Sequence, residues 1–163
     1  MNADRNSGIG SPEPAVVEHR RESYLVSTDR GKLDLDVIHT FLTSCYWCPG
    51  IPREVVARSI QGSLCFGVYE GERQVGFARV ITDYATYGYI ADIFILESHR
   101  GRGLSKWMME CIMGHPALQG LRRWSLVTRD AHGLYQPFGF VRPADPDRYM
   151  EIIKRDIYRK TGQ

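Results

Sequence analysis

No stretch of the 163 residues approaches the roughly 18–20 uninterrupted apolar side chains that span a bilayer. The N-terminus also lacks the apolar core of a secretory signal. The four cysteines, Cys45, Cys48, Cys65 and Cys111, are scattered over a loop, a strand and a helix and form no disulfide framework, so a reduced, cytoplasmic protein is expected. Strong charge is missing as well. The net charge is +2, and the basic spots, Arg100/Arg102 with Lys106 and Arg122/Arg123, are short. This argues against a nucleic-acid partner and for a local anion site. Cys45-x-x-Cys48 has no second such pair and no His-x-x-x-His to complete a zinc site, so no metal is expected. Neither Gly-x-x-x-x-Gly-Lys-Ser/Thr nor Gly-x-Gly-x-x-Gly after an N-terminal strand occurs, which sets aside the commoner nucleotide loops.

What is present reads as one domain of average composition, 43% apolar and 25% charged. Residues Met1–Arg21, rich in Asn, Ser, Gly, Pro and charge, are expected to be a mobile tail ahead of a domain over 22–163. A strand is predicted at Tyr24–Ser27. Helical spacing of Leu33, Val37, Ile38, Phe41 and Leu42 predicts a helix over Asp34–Leu42, and a second follows Pro52, over Arg53–Ser59. Strands are predicted at Leu64–Tyr69 and Gln74–Thr82, joined by a hairpin turn, and at Tyr89–Leu96. Gly103 opens a helix carrying Leu104, Trp107, Met108, Cys111 and Ile112 on one face. A strand at Trp124–Val127, a short helix at Ala131–Gln136 capped by Asp130, and closing strands at Phe140–Arg142 and Tyr149–Lys154 complete the order. The pattern is a mixed α/β sheet with helices on both faces.

The strongest chemical signal is the junction from Ile93 to Ser105, where a strand enters a turn with two glycines and a helix begins at once. A helix N-terminus leaves backbone N–H groups unpaired and carries partial positive charge. Glycines let an anion approach that backbone, and Arg100 and Arg102 add charge, which together suit a phosphate or pyrophosphate. On this segment alone, a basic turn that merely caps a helix is the plainer alternative.

Arg100-Gly101-Arg102-Gly103-Leu104-Ser105 resembles the acyl-CoA-binding motif of the GNAT superfamily of N-acetyltransferases, Arg/Gln-x-x-Gly-x-Gly/Ala, with Ser105 in place of the usual Gly or Ala. Leu134-Tyr135-Gln136-Pro137-Phe138-Gly139-Phe140 resembles the late motif of the same family, and the two motifs are ordered and spaced alike. The resemblance covers about residues 22–155. It implies a single-domain, mainly antiparallel GNAT-like sheet and acetyl-CoA as cosubstrate. The backbone of Phe94 and Ile95 would pair with the pantetheine arm, and Arg100, Gly101, Arg102, Gly103, Leu104, Ser105 and Lys106 would hold the pyrophosphate. It also implies direct attack by an amine, with Tyr135 as general acid toward the departing thiolate.

Asp92 lies in the apolar run Ile90-Ala91-Asp92-Ile93-Phe94, where an unpaired acid would be costly. It is the candidate base or substrate holder, with a structural hydrogen bond as the alternative. Glu97 and His132 are weaker candidates. His39, His99 and His115 read as surface or loop residues. Tyr46, Trp47, Arg79, Tyr84 and Tyr87 lie on segments where the acceptor, a small-molecule or peptide amine, would enter. A non-catalytic acyl-CoA-binding module is the rival reading, and a nucleotide-binding protein the third. Edge strands near the C-terminus suit a homodimer.

Overall fold

Alternation along the strand Leu64–Glu70 divides the core into two layers. Leu64, Phe66 and Val68 point into one cluster and Cys65 into the other. The computed structural model describes residues 13–159. Within them, β1 (Glu18–Arg21), β2 (Tyr24–Ser27), β3 (Leu64–Glu70), β4 (Arg73–Thr82), β5 (Tyr87–Ile95) and β6 (Arg123–Ser125) form one sheet in chain order. Neighbours from β1 to β5 pair antiparallel, and β6 joins β5 in parallel.

Helices cover both faces. α1 (Leu35–Ser44) and α2 (Arg53–Gln61) press Ile38, Leu42, Val56 and Ile60 onto Cys65, Phe77 and Phe94. α3 (Leu104–Met113) lays Leu104, Trp107, Met108 and Ile112 on the opposite face with Phe66, Val80 and Ile90, and α4 (His132–Tyr135) joins that layer through Tyr135. Asp34 starts α1 by accepting from the amides of Asp36 and Val37 at 3.0 and 3.1 Å, the ordinary way an N-cap satisfies orphan donors. Among the described residues no helix is long and apolar enough to cross a membrane.

Several expectations need correction. Residues 1–12 of the expected tail lie outside the described residues, but Glu18–Arg21 are not tail: they form β1 against β2. The closing strands at Phe140–Arg142 and Tyr149–Lys154 are irregular chain, since no sheet edge within the described residues pairs with them. The sixth strand is Arg123–Ser125 rather than Trp124–Val127. Asp130 does not cap the last helix. The N-cap is Ala131, with no side-chain capping bond; Thr128 accepts from the Ala131 amide at 3.0 Å, and Asp130 pairs with Arg129. His115 and His99 do lie in connections, but both are buried, His115 edge-on to the Phe66 ring, so they are loop residues and not surface ones.

One irregularity positions the site. Phe77 pairs with Phe94 and Arg79 with Ala91, so Ala78 of β4 stands opposite two residues of β5, Asp92 and Ile93. Asp92 takes the left-handed backbone conformation, φ 56°, which Asp tolerates better than most residues. The extra residue resets the alternation. Ile90 and Ile93, three apart, both pack in the α3 layer, while Asp92 turns to Arg79. Re-aiming a side chain in this way is a recurrent use of a bulge.

Candidate active site

β6 pairs with β5 only through Tyr87, Gly88 and Tyr89. The contact there is tight: a Cβ on Gly88 would stand 2.8 Å from the Trp124 ring. Beyond Ser125 the two strands part. Residues of an antiparallel ladder alternate between hydrogen-bonded and non-hydrogen-bonded pairs. Leu96 N–H donates to the Val75 carbonyl at 2.8 Å, so Ile95, one residue earlier, turns its backbone groups away from β4 and into the gap. The gap belongs to a cleft of about 1220 Å³ that runs from Gly101, Gly103 and Ser105 past Ile93 and Ile95 to Tyr135.

At one end of the cleft is the glycine turn. Gly101 and Gly103 have φ of 75° and 72°, and Gly103 occupies the N-cap of α3 with no side-chain capping bond. Nothing approaches within 4 Å of a Cβ built on Gly101. The first amides of α3 therefore face open space, where an anion is favoured by both N–H groups and helix dipole. Arg100 folds its Nε onto the Ile95 carbonyl at 3.1 Å, which holds its guanidinium beside the turn. Arg102 and Lys106 instead border an adjacent cavity of about 630 Å³ with Arg21, Tyr24, Glu70 and Trp107. The Arg102 guanidinium donates to the Tyr24 hydroxyl at 2.6 Å and to the Ser98 carbonyl at 3.2 Å. Glu97 forms no ion pair with either arginine; Glu70 faces Arg102 at 3.9 Å. Glu70 also accepts from His99 Nε2 at 3.1 Å, a bond that lowers the pKa of its carboxyl, and His99 Nδ1 then accepts from Ser98.

In the middle is Tyr135. Its ring sits edge-on to Phe140, with centroids 6.0 Å apart. Its hydroxyl makes no hydrogen bond among the described residues, yet it is not sealed from the cleft. Burial pushes the phenol up to about 12, so it holds its proton throughout the neutral range.

The far end is aromatic with one ion pair. Arg79 Nε donates to Asp92 Oδ2 at 2.5 Å and Arg79 reaches the Ser63 hydroxyl at 3.3 Å, while the Trp47 indole donates to Asp92 Oδ1 at 3.2 Å. Arg79 and Asp92 side chains are only 17% and 11% exposed. Phe41 stacks on Phe94 with centroids 3.9 Å apart, and Arg129 lies over the Tyr46 ring at 3.9 Å.

The structure thus brings Asp92, Phe94, Ile95, Arg100, Gly101, Gly103, Leu104, Ser105 and Tyr135 to one cleft, with Tyr46, Trp47 and Arg79. Tyr84 and Tyr87 are not at its rim: Tyr84 packs into the α3 layer and Tyr87 contacts Ser125. His132 and Glu97 are exposed and do not border it. Phe41, Tyr89 and His99 border it without having been foreseen. Among the described residues no group of three His, Cys, Asp or Glu could hold a metal.

A family model for the acetyltransferase (GNAT) domain matches residues 61–142. A Gibberella zeae protein assigned to the acetyltransferases is 36% identical over 138 residues, covering 71% of this chain and 77% of its own length. Among solved structures, a Xanthomonas campestris protein assigned to the GNAT acetyltransferases is 48% identical, with a TM-score of 0.81 over 90% of this chain and 99% of that one. A Clostridium acetobutylicum protein solved with acetyl-CoA shares the fold at 16% identity, with a TM-score of 0.53, covering 80% of this chain and 94% of its own.

Proposed function

The chain belongs to the GNAT family of acetyltransferases, and from that premise we propose that it transfers an acetyl group from acetyl-CoA to an amine by direct attack. The observation that carries this reading is the gap between β5 and β6, which joins an uncapped, glycine-lined helix N-terminus to the free hydroxyl of Tyr135.

The residues present suit the cosubstrate. The open amides of Gly103, Leu104 and Ser105, with the Arg100 guanidinium, would hold a pyrophosphate. The gap-facing backbone of Ile95, next to Phe94, would hold the amide-bearing pantetheine arm as a strand edge holds a partner. Arg102 and Lys106, in the neighbouring cavity, add positive field rather than direct contact. When bound, acetyl-CoA supplies an acetyl group already activated as a thioester.

Tyr135 is the general acid: its phenol keeps a proton at neutral pH and has no protein partner to which it is committed. Asp92 acts by orienting the acceptor nitrogen. Both its oxygens already receive a donor, from Arg79 and Trp47, which suits holding charge more than carrying protons away. Fixing both reactants in one cleft supplies the remaining advantage.

The test is a panel of amines with acetyl-CoA, read by release of free thiol. Tyr135→Phe should lower kcat by about 100-fold or more with little change in KM for acetyl-CoA. Acetyl-CoA binding with no thiol release across the panel would leave a non-catalytic acyl-CoA-binding module as the reading, and full activity in Tyr135→Phe would remove Tyr135 as the acid.

A further inference from the structure

Acetyl transfer uses every conspicuous feature of the cleft except one, the thiol pair at the end of α1. Cys45 terminates that helix, and its Sγ lies 3.4 Å from Cys48 Sγ, with both thiols against the Leu42 carbonyl at 2.9 and 3.4 Å. The loop is pinned on either side. Gly50 N–H donates to Thr43 O at 2.9 Å, Ile51 N–H to Cys48 O at 3.1 Å, and His39 Nε2 to Ile51 O at 3.0 Å. Both cysteines border the cleft, as do Trp47 and Asp92.

The other two cysteines behave differently. Burial pushes Cys65 up to about 12 and Cys111 up to about 11, and both are enclosed in the core. At Cys45 the hydrogen bond from Cys48 outweighs burial, helped by the backbone amides of Cys48 and Trp47, and holds its thiol below the ordinary value. The thiolate is the reactive form.

We propose that Cys45 and Cys48 are a peroxide-oxidised dithiol site that closes a reversible disulfide at the acceptor end of the cleft. The Cys45 thiolate attacks one peroxide oxygen. The O–O bond breaks, the leaving hydroxide takes a proton to become water, and Cys45 is left as the sulfenic acid. Cys48 sulfur then attacks Cys45 sulfur. The S–O bond breaks, and the departing hydroxide leaves as a second water with the Cys48 proton. Two thiols and one hydrogen peroxide become one disulfide and two waters. The sulfurs must approach by about 1.4 Å from their present separation to reach bonding distance, and the short loop between them absorbs that movement. Trp47 stands inside the loop and holds Asp92 through its indole, so the closing ring draws Trp47 off the carboxylate. The effect on acetyl transfer rests on the function proposed above, whereas disulfide formation does not.

The experiment treats the reduced full-length chain with hydrogen peroxide and maps the thiols by mass spectrometry. The wild type should lose two thiols, with the peptide carrying both Cys45 and Cys48 lighter by two hydrogens, and dithiothreitol should restore it. In Cys48→Ser, Cys45 should stop at the sulfenic acid and be trapped by dimedone, which labels the wild type poorly. Oxidation of Cys65 or Cys111 ahead of the pair would overturn the proposal. So would wild-type Cys45 passing to sulfinic acid while Cys48 stays free, or an unreacted pair at peroxide levels that label Cys48→Ser. On an active chain, KM for the amine should rise severalfold on oxidation and recover with dithiothreitol. A chain with no transferase activity would still give the thiol results, so the two readings fail separately.

Discussion

Tyr135 combines a ring fixed against Phe140 with a hydroxyl that no described group claims. The same burial that fixes the ring raises the phenol to about 12, and this has a sign that can be measured. Ionisation would remove the acid, so the falling limb it causes lies near its own pKa. The rate of thiol release should therefore stay level through about pH 10, where an ordinary tyrosine is half ionised; a fall centred there that Tyr135→Phe abolishes would contradict the assignment. Stability follows the same direction. The folded value lies above the unfolded one, so the contribution from the buried phenol is complete below about pH 10 and is lost as pH rises through about 12. Arg79 offers a second test at this scale. Arg79→Met leaves the mostly buried Asp92 carboxylate without its cation, which costs on the order of 3–5 kcal/mol. Urea unfolding should show that loss, and Asp92→Asn, which still accepts from Arg79, should lose less.

At the scale of elements, the junction of β5 with α3 depends on backbone conformations that side chains resist. Gly101→Ala and Gly103→Ala each place a Cβ on a left-handed residue and should cost about 1–2 kcal/mol in urea unfolding. Both should raise KM for acetyl-CoA while leaving KM for the amine near its starting value. An equal rise in both would show that the turn serves folding alone. This junction was legible in the sequence because its signals are local: glycines, arginines and the apolar spacing of Leu104, Trp107, Met108 and Ile112 are adjacent in the chain. The bulge left a trace too, since Ile90 and Ile93 break the two-residue alternation of a strand. Its consequence was not legible, because the partners of Asp92, Arg79 and Trp47, are 13 and 45 residues away. The cap of α4 was misread for a different reason. Asp130 stands one residue before the N-cap, Ala131, which carries no capping side chain, and its carboxylate goes to Arg129.

At the scale of the whole molecule, the chain after α4 stands apart from the sheet. Tyr149-Met150-Glu151-Ile152-Ile153 has the composition of a strand, yet it pairs with nothing described, and Met150 and Ile152 are each 97% exposed. A strand without an edge gains no ladder hydrogen bonds, and contiguous apolar exposure on a folded chain marks a surface that meets a partner. The sheet itself ends at β6, three residues long and open on its outer side. A second copy would supply what each feature lacks, and the two-fold symmetry of a homodimer would satisfy both copies at once. The chain should therefore sediment as a dimer at micromolar concentration, and Met150→Lys with Ile152→Lys should return it to monomer with its thermal unfolding still cooperative. Pairing should also protect the amides of residues 149–154 from hydrogen exchange in the dimer and not in the double variant. A wild-type monomer, or a dimer that survives both lysines, would mean that this segment meets something other than its own copy.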